Sequence, residues 1–309
     1  MVPQKNFLKD LGRVLFWFPL RWMLLITPLS LVYRLGGWLG NLNYVISRPD
    51  KINRMRDNVS AALGRSPQET TWIIRQNLKM HLRNTLELIK YPKTTKAQIK
   101  ATVTFKHKNR LDAALQEKGG VVLLTAHFGA KQLLQIALGR WGYDTNQIHY
   151  HMRRDELTFI QKHVAQFQRK KIESQLPVNF IHAKRFLRPA FRCLKENQVL
   201  IMAGDGIGQK KYIDRSYSVF DIFGKQMSFP MGPAAIARRT GATLLPVFVV
   251  RRTIKHHIVF EKALKIEHRS DIDVTAAYVK LLERYIRQHP WQWEFWEEFD
   301  ESVLLQKAK

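Results

Sequence analysis

The sequence predicts an α/β fold, a mainly parallel central sheet flanked by helices, and three observations carry that prediction. Short uncharged runs rich in Val, Ile and Leu, such as Val121-Val122-Leu123-Leu124-Thr125-Ala126 and Val199-Leu200-Ile201-Met202-Ala203, read as strands buried on both faces. Between them lie segments whose apolar residues recur at helical spacing. The two kinds of segment alternate, the order that produces parallel strands joined by crossover helices. With 309 residues, 45% of them apolar, the chain can bury one large core.

The N-terminus departs from this alternation. Residues 11–39 hold Phe16, Trp17, Phe18, Trp22, Met23, Leu24, Leu25, Ile26 and Trp38, but Arg13, Arg21 and Arg34 interrupt them and Pro19 and Pro28 bend them. A spanning helix takes about 20 predominantly apolar residues. The uncharged part, residues 22–33, is shorter, although Arg21 and Arg34 can snorkel at its ends. A helix lying in the interface, aromatics at the acyl boundary and arginines on phosphates, fits at least as well, and a core helix is the third alternative. Residues 1–40 are therefore assigned to a membrane anchor or interfacial helix, and residues 41–309 to the α/β domain. No small-residue cleavage site is seen, so the segment is expected to be retained.

The elements follow in order. Residues 51–90 predict two helices, the second capped by Ser66-Pro67-Gln68-Glu69. Val103 to Lys106 reads as a short strand and Asn109 to Glu117 as a helix closed by Gly119-Gly120. After the strand ending at Ala126 comes a turn at His127 and a helix from about Lys131 to Gly139. Strands are then predicted at 147–152, 178–181 and 199–203, and helices at 156–171 and 189–196. Gly232-Pro233 to Gly241 reads as a helix with Pro at its start and Gly at its end, leading into the strand at 243–250.

Fifty-one Lys and Arg against 25 Asp and Glu leave a formal charge of +26, which favours a polyanionic partner: nucleic acid, anionic lipid or an acidic carrier protein. A nucleic-acid binder should add a recognition motif, and none is present. The single Cys193 excludes an intramolecular disulfide and reads as a small buried apolar residue. No metal or cofactor is expected.

His127 stands where a buried strand gives way to a turn and a helix, at the carboxyl edge of the sheet, where α/β folds keep their chemistry. Its imidazole suits a general base for an attacking hydroxyl; the alternative is a hydrogen-bonded structural histidine. Gln132, five residues on, can orient the ring through its carbonyl but brings no charge. Asp205, between Gly204 and Gly206 after another strand, is the leading source of the missing acid, with Asp155 and Glu294 behind it. Arg153 and Arg154 follow a strand on the same edge and suit a phosphate; Gly232 and Pro233 open a helix onto an anionic group or simply cap it. Arg238-Arg239 and Arg251-Arg252 read as general surface charge. Pro290-Trp291-Gln292-Trp293-Glu294-Phe295-Trp296 is either an aromatic lid or a cluster packed on the core, with packing favoured.

Five blocks in order, namely Ala126-His127-Phe128-Gly129, Arg153, Gly204-Asp205, Phe229-Pro230-Met231-Gly232-Pro233-Ala234 through Pro246-Val247-Phe248, and Pro290-Trp291-Gln292-Trp293, make nearly the whole chain resemble the bacterial lipid A late acyltransferases, the lauroyl/myristoyl transferase family. The resemblance implies a glycerolipid acyltransferase-like fold and an enzyme at the cytoplasmic face of the cell inner membrane. Such an enzyme moves a fatty acyl group from an acyl carrier protein to a hydroxyl of a lipid A precursor, an anionic glycolipid of lipopolysaccharide. It also implies that His127 matches the family base, Arg153 its arginine block and Asp205 the aspartate after its late strand. Three departures are specific: Gln132 replaces the motif acid, Ala130-Lys131 replaces Asn-Trp, and Gly206 replaces a polar residue. A branch of the same fold that transfers an aminoacyl group to lipid A also departs from the acid motif, which makes aminoacyl transfer the second reading. A non-catalytic lipid- or carrier-binding relative is the third.

Overall fold

The computed structural model describes residues 4–149, 158–182, 187–205 and 216–299. Seven strands form the central sheet: β1 (Val103–Lys106), β2 (Val121–Thr125), β3 (Thr145–His149), β4 (Asn179–His182), β5 (Val199–Ala203), β8 (Thr243–Arg251) and β9 (His256–Phe260), in the order β1-β9-β8-β2-β5-β3-β4. Only the β8–β9 pairing is antiparallel; the others are parallel, as the alternation of segments predicts. The sheet is mainly parallel because helices intervene between most strands, α9 (Gln166–Glu173) among them between β3 and β4. β9 is reversed because only residues 252–255 separate it from β8, too few for a crossover.

Side chains of neighbouring strands divide between two cores. Val122, Leu124, Leu200, Met202, Leu244 and Phe248 face one layer, where α4 (Pro49–Leu63), α5 (Pro67–Lys90), α10 (Arg188–Lys195), α11 (Gly232–Thr240) and α12 (Asp271–Gln288) contribute residues. Val121, Leu123, Val199, Ile201, Leu245 and Val247 face the other, built on α6 (Lys96–Thr102), α7 (Asn109–Gln116) and α8 (Leu133–Trp141). Continuous apolar runs thus serve a sheet covered on both sides. Trp293, Trp296 and Phe299 are fully buried in the first core, so the C-terminal aromatics pack inward. Cys193 is buried there too, and burial pushes its thiol up to about 11.

The expected capping box at the start of α5 is formed by Ser66 and Glu69. Outside the sequence reading lie α6, β9, α12 and an antiparallel hairpin, β6 (Tyr217–Ile222) with β7 (Lys225–Pro230). The hairpin turns through Phe223 and Gly224, both at positive φ (53° and 73°). A Phe in that position conceals the Asn-Gly or Gly-Gly signal that announces such a turn.

The N-terminus forms α1 (Gln4–Leu15), a π-helical turn (Phe16–Leu20) around Pro19, α2 (Arg21–Ile26) and α3 (Leu29–Ile46). Among the described residues no helix is long and apolar enough to cross a membrane, which corrects the spanning form of the anchor at 1–40. The interruptions are physical: an arginine heads α2, and Thr27 and Pro28 leave the helical conformation. The limit drawn at residue 40 falls inside α3, which lies closely against α5. Gly36, Gly37 and Gly40 are buried, and a Cβ on Gly40 would stand 2.4 Å from Lys79 Cα. Arg83 Nε donates to Tyr33 O at 3.2 Å, and Lys90 Nζ reaches Leu24 O and Thr27 O at 2.8 and 2.5 Å.

Candidate active site

β2 and β5 are neighbours in register, with Thr125 opposite Ala203. His127 and Asp205 each follow two residues later, so the pairing delivers both to the same carboxyl edge. His127 Nδ1 lies 2.8 Å from Asp205 Oδ1, and the His127 backbone N–H donates to Asp205 Oδ2 at 2.8 Å. Trp293 Nε1–H donates to the same Oδ2 at 3.3 Å. Asp205 is completely buried, whereas a quarter of the His127 side chain is exposed. An acceptor carboxylate on Nδ1 fixes the tautomer with the proton there, leaving the Nε2 lone pair as the base.

The turn carrying His127 is held from three sides. Glu294 N–H donates to His127 O at 3.0 Å, and the Phe295 ring centroid lies 4.8 Å from that of His127. Gly129 has φ +58°, donates its N–H to Gln292 O and accepts from Asn84 Nδ2, both at 2.8 Å. A Cβ there would fall 1.8 Å from Val249 O, so only glycine fits. Below the turn, Thr125 O accepts from Gly204 N–H at 2.8 Å and Tyr278 Oη–H at 2.7 Å. Burial, with the Asp205 charge adding to it, pushes the Tyr278 phenol well up.

A buried network fastens these supports to α5. Arg251 grips Glu87 with two bonds of 2.8 and 2.6 Å and donates to Asn84 Oδ1 at 2.6 Å. Its backbone exchanges bonds of 2.8 and 3.0 Å with the Gln292 side chain. Burial opposes the guanidinium charge, but Glu87 outweighs it and the group is held above its ordinary value. Arg251 is therefore no surface charge, which corrects the sequence reading. The signal was available in Asn77, Asn84 and Glu87, polar residues on the inward face of an otherwise apolar helix pattern.

Beside His127, Lys131 is ion-paired with Glu294, whose other oxygen stands 3.7 Å from His81 Nδ1. Burial raises the Glu294 carboxyl, but Lys131, His81 and His127 together bring it below its usual range. Burial lowers His81, with Glu294 partly offsetting it.

Of the residues singled out from sequence, His127 and Asp205 are brought together. Gln132 is the residue before α8, and its side chain makes no hydrogen bond among the described residues. The place on Nδ1 is taken by Asp205. Gly232 and Pro233 open α11, Pro233 buried, and neither touches His127 or Asp205 among the described contacts. They serve the helix start. Arg153, Arg154 and Asp155 lie outside the described residues. Glu294 is adjacent to His127, and Trp293, read as packing, also donates to the buried acid. Among the described residues no His, Cys, Asp and Glu cluster is suited to a metal ion.

A partly exposed histidine on a buried aspartate, at the carboxyl edge of an α/β sheet, is the arrangement of a base-assisted transferase or hydrolase. Residues 4–297 match the profile of the bacterial lipid A biosynthesis acyltransferases, and the chain belongs to that family. It is accordingly an acyltransferase of lipid A biosynthesis. No curated protein matches the chain. Among solved structures it is similar to the crystal structure of the 1-acyl-sn-glycerophosphate (LPA) acyltransferase PlsC from Thermotoga maritima, at 14% identity and a TM-score of 0.37, covering 84% of this chain and 96% of that one.

Proposed function

We propose that the protein transfers an acyl group from an acyl-carrier-protein thioester to a hydroxyl of a lipid A precursor or related glycolipid, at the cytoplasmic face of the inner membrane. The observation that carries this reading, in a chain of this family, is the 2.8 Å contact of His127 Nδ1 with Asp205. His127 Nε2 takes the hydroxyl proton as the oxygen attacks the thioester carbonyl. The imidazolium is stabilised by Asp205 and returns the proton to the departing thiolate as the tetrahedral intermediate collapses, so ester and free thiol are formed. The charge of +26 supports an acidic carrier and an anionic acceptor as partners.

Mass spectrometry of lipids from cells with the gene, without it, and with His127→Ala tests the reading. The expected outcome is a lipid A species heavier by one fatty acyl group that disappears in both other strains. A gain of aminoacyl mass instead would transfer the proposal to aminoacyl transfer. Identical lipids in all three strains would leave a binding protein.

A further inference from the structure

We infer that the helical segment 158–173 and the N-terminal helices form a single two-helix raft that lies on an anionic bilayer, a surface that no single stretch of the sequence encodes. The inference rests on the proposed reading of the protein as a membrane-surface enzyme. Thr158 Oγ1 donates to Asp10 Oδ1 at 2.7 Å, and Arg21 Nη1 donates to Gln168 Oε1 at 2.7 Å. Asp10 and Arg21 are separated by nearly the same number of residues as Thr158 and Gln168, so the two helical stretches run parallel, side by side.

The polar contacts occupy the seam, and the outward faces are apolar and basic. On the N-terminal stretch Leu11, Leu15, Phe18, Trp22 and Ile26 are exposed, Trp22 by 63% and Ile26 by 85%. On the other, Phe159 and Phe167 are exposed by 73% and 62%. Eight residues of regular α-helix would leave these two rings about 80° apart. The π-helical turn at Gln161–Ala165 absorbs one residue, which brings them within about 20° of one another. Exposed His163 packs at a tilt against Phe159, with ring centroids 4.6 Å apart, and Lys170 and Lys171 follow Phe167 by three and four positions, on the same face. Ile172 is buried on the opposite side.

The chemistry of this surface selects its occupant. Aromatic rings interleaved with Lys and Arg suit the headgroup layer, and no described helix can cross the membrane. Residues 4–34 and 158–173 together contain nine Lys or Arg against two acids, Asp10 and Glu173, complementary to an anionic lipid surface. Thr158 follows His149, the last residue of β3, by nine positions, which keeps this end of the raft within about 30 Å of the edge that carries His127.

The test is flotation of the full-length protein with vesicles of phosphatidylcholine alone or containing about one third phosphatidylglycerol. The wild type is expected to float with the anionic vesicles, and both Phe159→Ser/Phe167→Ser and Phe18→Ser/Trp22→Ser to lose about tenfold in partitioning. A control, Trp72→Ser, on an exposed position of α5, should float like the wild type. In parallel, a bimane label on Phe167→Cys should shift to the blue when anionic vesicles are added, which reports on the surface without any loss of apolar side chains. If only the N-terminal pair matters and the label is silent, the raft is wrong while the membrane reading stands. Failure of the wild type to float overturns both, and a label that responds to an acidic carrier protein but not to vesicles overturns the raft in favour of a protein-docking face.

Discussion

His127 and Asp205 are positioned with little slack: one carboxylate, wholly buried, accepts from the imidazole, from the backbone of the same histidine and from Trp293. His127→Ala should abolish transfer with thermal stability close to wild type, because the side chain sits on a turn and is partly exposed. Asp205→Asn should reduce kcat by about ten-thousand-fold, the cost of losing the orienting carboxylate in a comparable triad. Gln132→Glu should not raise turnover, since the Nδ1 position is already filled; a gain of tenfold or more would show that Asp205 is not the working partner. Glu294 carries a second, separable expectation. Its carboxyl is held below the usual range in the fold, so the ion pair with Lys131 contributes stability above about pH 4.3 and that contribution is lost as pH falls through the lowered value. Lys131→Met should therefore cost about 1 kcal/mol near neutral pH, and the difference from wild type should vanish in acid. Denaturation midpoints measured across pH decide this, and a difference that does not change with pH would sink the assignment.

At the scale of elements, the site depends on α5 as much as on the strands that carry its residues. Asn77 donates to Trp291 O and Trp293 O at 3.1 and 2.6 Å, Asn84 holds Gly129, and Glu87 neutralises Arg251. Glu87→Gln should destabilise the protein by about 3–5 kcal/mol, because it strands a buried guanidinium. Glu87→Leu combined with Arg251→Met should recover most of that loss, which chemical denaturation of the two single variants and the double variant will show. Simple addition of the single effects would mean that the pair is not coupled. Six of the seven strands of the central sheet and most helices of the domain were legible in the sequence because their burial is dictated locally: continuous apolar runs make strands covered on both faces, and Ser66 and Glu69 announce a helix start. The supports of the site were marked only by the polar residues on the inward face of α5. Arg251 sits beside Arg252 in a basic chain, and nothing local distinguishes the one that enters the core from the one that stays outside. Asp205 was legible as an acid at a strand end, but its partnership with His127 needed the register of β2 on β5.

At the scale of the whole molecule, the excess of positive charge is spread through the sequence and acts on encounter. If the donor rides on an acidic carrier, the KM for carrier-linked donor should rise with salt as the screening length falls through about 8 Å, while kcat stays nearly constant. Steady-state kinetics across a salt series test this, and a flat KM would assign the charge wholly to the lipid surface. The C-terminal segment has a different kind of consequence. Its Trp293 reaches the buried acid, its Gln292 and Glu294 hold the turn, and its Trp296 and Phe299 close the adjoining core. All of these residues are synthesised long after the histidine they support. A nascent chain that has made β2 and β5 therefore holds the histidine and its aspartate, but not yet the indole that also binds the carboxylate or the backbone that holds the turn. A chain interrupted before Pro290 should accordingly transfer far more slowly than the full chain, which an assay of such a truncated variant will show.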